Sequence, residues 1–298
     1  MSTRLRPPVR VALARSVDVL PRGGPYAYEP KFDGHRLVVL RTAAGVLLQA
    51  RSGRMVADSF PDLARAARAL PEGTVLDGEV VVWTGGRTDF AAVQKRAMAG
   101  RARAAALARE LPASYAAFDL LATGSADLRR LPYERRRAAL VELLAPLGPP
   151  LQPVPMTTDP DTAEAWFASL REVGVEGLVA KRLDHPYRGG RREWQKLRHS
   201  ETRDAVVVGF TGPRARPRTL VLVLPGDDEP VVSGRLGPHL QLRLAEALRE
   251  SAAAPETGRL TTSDGTVYTP VPPDLSVEVQ QTAVRNPVTT VVRLRGPD

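Results

Sequence analysis

After about Glu201 this chain changes character, and that change limits its fold more than any other feature. Ahead of it, apolar strand-like runs alternate with helical segments. Beyond it, DAVVVGFTG, RTLVLVLPG and PVVSGRLG are short strand-like runs parted by Gly/Pro turns, and SVEVQQTAV and VTTVVRLR are two more. Only HLQLRLAEALRE, residues 239–250, has the spacing of an amphipathic helix in this half. Five strands and one helix in about 95 residues fit a small β-barrel of the OB type. A chain of 298 residues accommodates two domains, each with its own core, so the expected division is 1–200 and 201–298.

In the first half, residues 35–41 and 46–51 read as strands joined at Ala44-Gly45. SFPDLARAARAL, residues 59–70, predicts a helix with Ser59 as its cap and a proline near the first turn. Strands follow at 74–83 (TVLDGEVVVW), 114–122 (SYAAFDLLA) and 175–183 (VEGLVAKRL), with helices predicted at 89–109, 132–145 and 161–173. REWQKLR at 192–198 closes this half, and the mixture is α+β.

Several function classes are excluded early. The chain has no cysteine, so disulfides and thiolate metal sites are ruled out, which fits a cytoplasmic protein. His35, His185, His199 and His239 are scattered, without metal-ligand spacing. No apolar run is long enough to cross a bilayer, and MSTRLRPPVR lacks a signal-peptide core, so no membrane partner is expected. The net charge of +9 and a pI near 10.4 predict a polyanionic partner, nucleic acid before membrane.

The basic residues are unevenly chosen. Of 42, only Lys31, Lys95, Lys181 and Lys196 are lysines; the rest are arginine. Guanidinium effectively never sheds its proton, whereas an amine does when burial and neighbouring cations favour it. A lysine inside the strand-like run YAYEPKFDGHRLVVLR is therefore a candidate covalent nucleophile.

Lys31 opens the sequence Lys31-Phe32-Asp33-Gly34-His35-Arg36, a K-x-D-G-x-R pattern. Arg51-Ser52-Gly53, Asp77-Gly78-Glu79, Phe118-Asp119-Leu120-Leu121, Glu176-Gly177-Leu178-Val179-Ala180-Lys181 and Trp194-Gln195-Lys196-Leu197-Arg198 follow in order. With this ordered set the chain resembles the ATP-dependent DNA ligases of the covalent nucleotidyltransferase superfamily, in particular the small bacterial type. The resemblance spans residues 29 to 198. It implies a nucleotidyltransferase domain of ATP-grasp-like antiparallel sheets with flanking helices, followed by an OB-fold barrel.

It also implies roles. Lys31 is the nucleophile that attacks the α-phosphorus of ATP and carries AMP as a phosphoramidate. Phosphoryl transfer needs positioning and charge neutralisation above all. Lys196 and Arg198 supply fixed positive charge for the triphosphate, Lys196 lies as a like charge beside the nucleophile, and Lys181 lies near the α-phosphate. Glu79 and Glu176 are hard oxygen donors for Mg²⁺, with Mn²⁺ as the alternative, and Glu79 also meets the ribose. Phe118 offers a flat face to adenine, Glu29 accepts from its N6 amine, and Arg36 and Arg51 are the phosphate- and nick-facing cations. Trp194 reads as packing, and Lys95, with Arg96, is given no role in the site.

The second half is matched more loosely. Arg214, Arg216, Arg218 and Arg235 are the expected phosphate contacts of an OB groove, and such contacts weaken with salt. The family usually ends its barrel in R-x-D-K, whereas this chain reads Arg295-Gly296-Pro297-Asp298, so the pyrophosphate-orienting role falls to Arg293 or Arg295. With about 30 residues ahead of Lys31, the resemblance implies a stand-alone repair ligase without the N-terminal DNA-binding domain of larger members. The expected substrate is nicked double-stranded DNA, sealed by a monomer with DNA-repair proteins as partners. RNA ligation, mRNA-capping guanylyl transfer and non-catalytic nucleic-acid binding are the alternatives.

Overall fold

Strands form where valine, leucine and tyrosine alternate or run together between glycine turns, and helices fill the alanine- and arginine-rich intervals. The computed structural model of the chain describes residues 5–227, 229–250, 258–282 and 289–295. The chain divides between Arg198 and His199 into two compact units.

The first unit begins with β1 (Leu13–Ser16), β2 (Tyr26–Phe32), β3 (His35–Thr42), β4 (Gly45–Ala50) and α1 (Pro61–Ala66). It continues through β5 (Val75–Thr84), β6 (Arg87–Thr88), α2 (Phe90–Met98), α3 (Arg101–Glu110), β7 (Ala113–Thr123) and β8 (Ala126–Asp127). Helix α4 (Tyr133–Leu144), β9 (Leu151–Pro153), α5 (Pro160–Ser169), β10 (Val175–Arg182) and β11 (Arg192–Arg198) complete it. One sheet has the order β1-β11-β10-β2, antiparallel except for the β1/β11 pair. The other has the order β4-β3-β5-β7-β8, with β6 on β5 and β9 parallel to β7.

Side chains of a strand alternate between faces, and β3 uses both. Leu37 and Val39 join Phe60, Leu63, Val93 and Leu140 in the core under α1, α2 and α4. Val38 and Leu40 join Val75, Leu121 and Tyr187 on the opposite face, where Leu13 of β1 and Trp194 of β11 pack against them. The second sheet is thus covered by helices on one side and by the first sheet on the other.

The chain passes from the first sheet to the second through Asp33 and Gly34 alone. A Cβ at Gly34 would lie 2.1 Å from the Val80 carbonyl oxygen, so no other residue fits without moving the β3/β5 ladder. Gly177 is constrained in the same way, with its Cβ position 2.0 Å from the Leu197 carbonyl oxygen.

Three local expectations are corrected. The helix read over 89–109 is two helices, because Ala99 turns extended and Gly100 starts α3. Ser59 does not cap α1; the cap position is Phe60, without a side-chain bond. The segment 161–173 is α5, capped by Asp159, followed by a 3-10 turn over Leu170–Val173 that ends at left-handed Gly174.

The second unit contains β12 (Ser200–Thr211), β13 (Thr219–Val223), β14 (Val231–Val232), α6 (Pro238–Glu250), β15 (Leu260–Thr261), β16 (Val267–Thr282) and β17 (Thr289–Leu294). The strands form one sheet in the order β14-β13-β12-β16-β15, with β17 on β16. Val207, Phe210, Leu220, Leu222, Leu244, Leu248, Val277 and Val279 make its core. Among the described residues six strands replace the five expected, because SVEVQQTAV extends backwards into the long β16, which pairs with the short β15. Among the described residues no helix is long and apolar enough to cross a membrane.

Candidate functional site

Strand register puts the motif residues on one face of the first sheet. Lys31 of β2 stands opposite Gly177 of β10, which stands opposite Arg198 of β11. Two residues along, Glu29, Val179 and Lys196 make the next row, and two further on Lys181 lies between Ala27 and the Trp194 position. Period-2 alternation therefore turns Glu29, Lys31, Lys181, Trp194, Lys196 and Arg198 to the same side.

Lys31 is about one-fifth exposed, and its ammonium donates to Oε2 of the buried Glu176. The other carboxylate oxygen of Glu176 lies 2.5 Å from Arg198 Nε, an ion pair without the alignment of a hydrogen bond. Burial, then the Arg198 and Lys31 cations, lower the pKa of half-buried Lys196, with Glu176 acting the other way. Burial and the Glu176 charge raise that of Asp33, two residues beyond the nucleophile. Lys31, Glu176, Arg198, Lys196 and Asp33 thus form one electrostatic cluster.

A second, drier cluster adjoins it. Glu29 is 2 % exposed, and its Oε2 lies 2.6 Å from Lys181 Nζ, while its Oε1 accepts from the Tyr133 hydroxyl. Lys181 Nζ also donates to the Phe118 carbonyl at 2.7 Å. It stands 4.8 Å from the Phe118 and Tyr133 ring centroids and 4.3 Å from that of Trp194. Burial lowers the Lys181 pKa, and Glu29 and Asp119 offset this in part. The Phe118 ring meets Trp194 edge-on at 5.7 Å.

The second sheet supplies the opposing groups. Arg36 of β3 is paired to buried Asp77 of β5 through Nε at 2.9 Å and Nη2 at 2.6 Å, and Nη1 donates to the Ala12 carbonyl at 2.6 Å. Its guanidinium lies 5.2 Å from the Phe118 centroid and 5.3 Å from that of Trp194. Bonds to Asp77 and Ala12 brace Arg36 against the Phe118 and Trp194 rings with three of its five N–H donors engaged. Arg51, in the turn after β4, is exposed and close enough to influence the Lys196 charge.

Glu79, opposite Arg36 in the ladder, makes no hydrogen bond from its carboxylate to another described residue. Burial pushes it up from its ordinary 4.5 to about 7, although Lys31 and Arg36 pull it down. A carboxyl that binds its proton more tightly in the folded chain stabilises the fold below its ordinary pKa. That contribution fades as pH rises from 4.5 through about 7. In buffer without divalent cations, the urea midpoint of the protein is expected to decline over that window relative to Glu79→Gln, which lacks this titration.

Among the described residues no three His, Cys, Asp or Glu side chains are grouped as a metal cage. The C-terminal arginines are engaged inside their own unit. Arg293 pairs with Glu278 at 2.5 Å and Arg295 with Asp204 at 2.8 Å, and residues 296–298 of the tail lie outside the described residues. Arg214 donates through two nitrogens to the Leu248 carbonyl near the end of α6. Arg216, Arg218 and Arg235 are exposed.

Sequence reasoning missed Tyr133, Tyr187 and the contribution of Trp194. Trp194 carried a signal, since it shares strand parity with Lys196 and Arg198. Tyr133 and Tyr187 carried none, because their partners Glu29 and Asp77 lie more than a hundred positions away.

A family model described as the ATP dependent DNA ligase domain matches residues 11–198. The chain is 41% identical over 211 residues to DNA ligase C2 of Mycolicibacterium smegmatis, a match covering 70% of this chain and 59% of that protein. It is 34% identical over 269 residues to the multifunctional non-homologous end joining DNA repair protein LigD of Mycobacterium tuberculosis, covering 86% of this chain and 34% of that one. The chain therefore spans only part of the length of these relatives. The crystal structure of the ligase domain of M. tuberculosis LigD aligns with a TM-score of 0.55 at 29% identity, covering 96% of this chain and 94% of that chain.

Proposed function

Because the chain belongs to the ATP-dependent DNA ligase domain family, we propose that it seals nicks in double-stranded DNA through a lysyl-AMP intermediate on Lys31. The observation that carries the reading is the convergence of Lys31, Glu176, Arg198 and Lys196 on one sheet face opposite Glu79 and Arg36. In the first step Lys31 Nζ, having given up a proton, forms a bond to the α-phosphorus of ATP, and the α–β phosphoanhydride bond breaks to release pyrophosphate. AMP then moves to the 5′-phosphate at the nick, and the 3′-hydroxyl displaces it.

The remaining residues position and neutralise. Lys196, Arg198 and exposed Arg51 offer fixed positive charge to the phosphates, and Glu176 holds the nucleophile in place. Lys181 reaches the α-phosphate side from its aromatic surround, Phe118 presents a ring face to adenine, and Glu29 accepts from the N6 amine. Arg36, on the same sheet as Phe118, packs against both the Phe118 and the Trp194 rings.

The carboxylates fit a hard divalent ion. Glu79 lacks a hydrogen-bonding partner among the described residues and burial pushes it up to about 7, so a cation beside it would favour its charged form. Glu79 and Glu176 would hold Mg²⁺ or Mn²⁺, the pair of protein ligands Mg²⁺ commonly takes besides substrate phosphates. When bound, such an ion supplies charge neutralisation at the phosphoryl oxygens.

The second unit, with six strands and one helix among the described residues, is read as an OB-type module whose exposed Arg216, Arg218 and Arg235 meet the DNA backbone. DNA repair as a monomer, alongside repair-protein partners, is the proposed setting. The test is a sealing assay on duplexes whose nick is flanked by DNA or by RNA strands, at two salt concentrations. Sealing of the DNA nick with ATP, weakening as salt rises, is expected. Failure on DNA with activity on RNA, or binding without sealing, overturns the reading.

A further inference from the structure

Helix α4 begins at Tyr133, directly after Pro132, and its first turn is tied to the strand of Phe118, β7, and to the end of the strand of Lys181, β10. The Glu134 amide donates to the Leu183 carbonyl at 3.0 Å, just beyond the Lys181 strand. Arg136, buried, holds Asp119 of β7 through Nε at 2.7 Å and Nη2 at 2.9 Å, and donates to the Leu131 and His185 carbonyls at 2.5 and 3.1 Å. Its guanidinium lies 5.6 Å from the Tyr133 ring. The start of the helix therefore has a fixed position relative to β7 and β10, and so does the phenol.

That phenol is 1 % exposed and spends its one proton on Glu29 Oε1, while Lys181 holds Oε2 at 2.6 Å. Burial pushes the Tyr133 hydroxyl well above its ordinary pKa, so it stays a donor. A carboxylate held at both oxygens cannot turn, and the lone pair left on each oxygen is fixed in place. A purine with an amine at C6 can donate to an acceptor fixed at that point; one with an oxo group there sets a second acceptor against it, and its nearest donor, N1–H, lies to one side.

We infer that Tyr133 is a positioning residue for nucleotide choice: it locks the Glu29 carboxylate as a fixed acceptor, so that an adenine nucleotide is preferred over a guanine one. The inference rests on the reading of Glu29 as the acceptor for the base. A site built around a hydrogen-bonding group discriminates strongly between partners that match it and partners that do not, and discrimination against the wrong base depends on the acceptor staying put.

The test uses the full chain and measures self-adenylation and self-guanylation rates with radiolabelled ATP and GTP at subsaturating concentration. Tyr133→Phe keeps the ring beside Lys181 and removes only the hydroxyl. The ATP-to-GTP rate ratio is expected to fall about tenfold, as for loss of one hydrogen bond to a charged group. Glu29→Gln should also lower the ratio, and the double variant should lie no lower than Glu29→Gln alone, because the two residues act as one unit. A merely structural role for Tyr133 would slow both nucleotides alike and leave the ratio unmoved, and the ratio can be read on whatever fraction of a variant folds. If Tyr133→Phe keeps the parent ratio while Glu29→Gln loses it, the inference is overturned and the acceptor reading stands. If neither variant moves the ratio, both fall together.

Discussion

After incubation with ATP and Mg²⁺, the Lys31→Ala chain is expected to keep its unmodified intact mass, while the parent chain gains one AMP. The loss should be roughly ten-thousand-fold or more in rate, the scale on which removal of a covalent nucleophile acts. The other lysines are poorly placed to substitute. Lys181 is enclosed by three rings and tied to Glu29 and the Phe118 carbonyl. Lys196 lies two rungs from the β2 edge beside Arg198, and Lys95 is exposed on α2. Lys31→Arg should fail as completely, because guanidinium keeps the charge and cannot release the proton that bond formation requires. An AMP adduct of full stoichiometry on Lys31→Ala would remove Lys31 from the chemistry.

The largest effect on stability is expected at Asp77. Its carboxylate is fully buried and accepts from Arg36 Nε and Nη2 and, at 2.6 Å, from the Tyr187 hydroxyl. Asp77→Ala leaves a mostly buried guanidinium without its counter-charge and a buried phenol without an acceptor. Breaking a buried pair in this way costs about 3–5 kcal/mol. Urea unfolding should show the midpoint falling accordingly. Asp77→Asn retains an acceptor and the volume, and should lose less. A midpoint within error of the parent for Asp77→Ala would mean that the Arg36 charge is solvated in the folded chain. Self-adenylation of the folded fraction should also decline, since Arg36 braces Phe118 and Trp194.

What could be read from the chain alone follows from how local each signal is. Strands such as β5 and β10 declare themselves through β-branched runs, and the motif lysines stand out against an arginine background. Parity within β2, β10 and β11 then suffices to place Lys31, Lys196 and Arg198 on one face. Signals that depend on another element were invisible. Ser59 looks like a cap, but the chain at Phe60 is not arranged for the bond. Nothing around Arg214 in the sequence shows that α6 ends beside it. Nothing around Arg36 shows that Asp77 lies across the ladder. The four-residue β1 was too short to announce itself, and its parallel pairing to β11 spans nearly the whole first unit.

The two-residue passage at Asp33-Gly34 has a mechanical consequence. Covalent bonds join the two sheets at this one short crossing, which leaves the residues next to it the least slack in their spacing from the opposite sheet. Lys31 lies two residues from that crossing, whereas Lys181 and Trp194 lie further along the same face. The nucleophile thus sits beside the covalent crossing, and the base-binding end is clasped by side chains instead, with Lys181 of β10 on the Phe118 carbonyl of β7 at 2.7 Å.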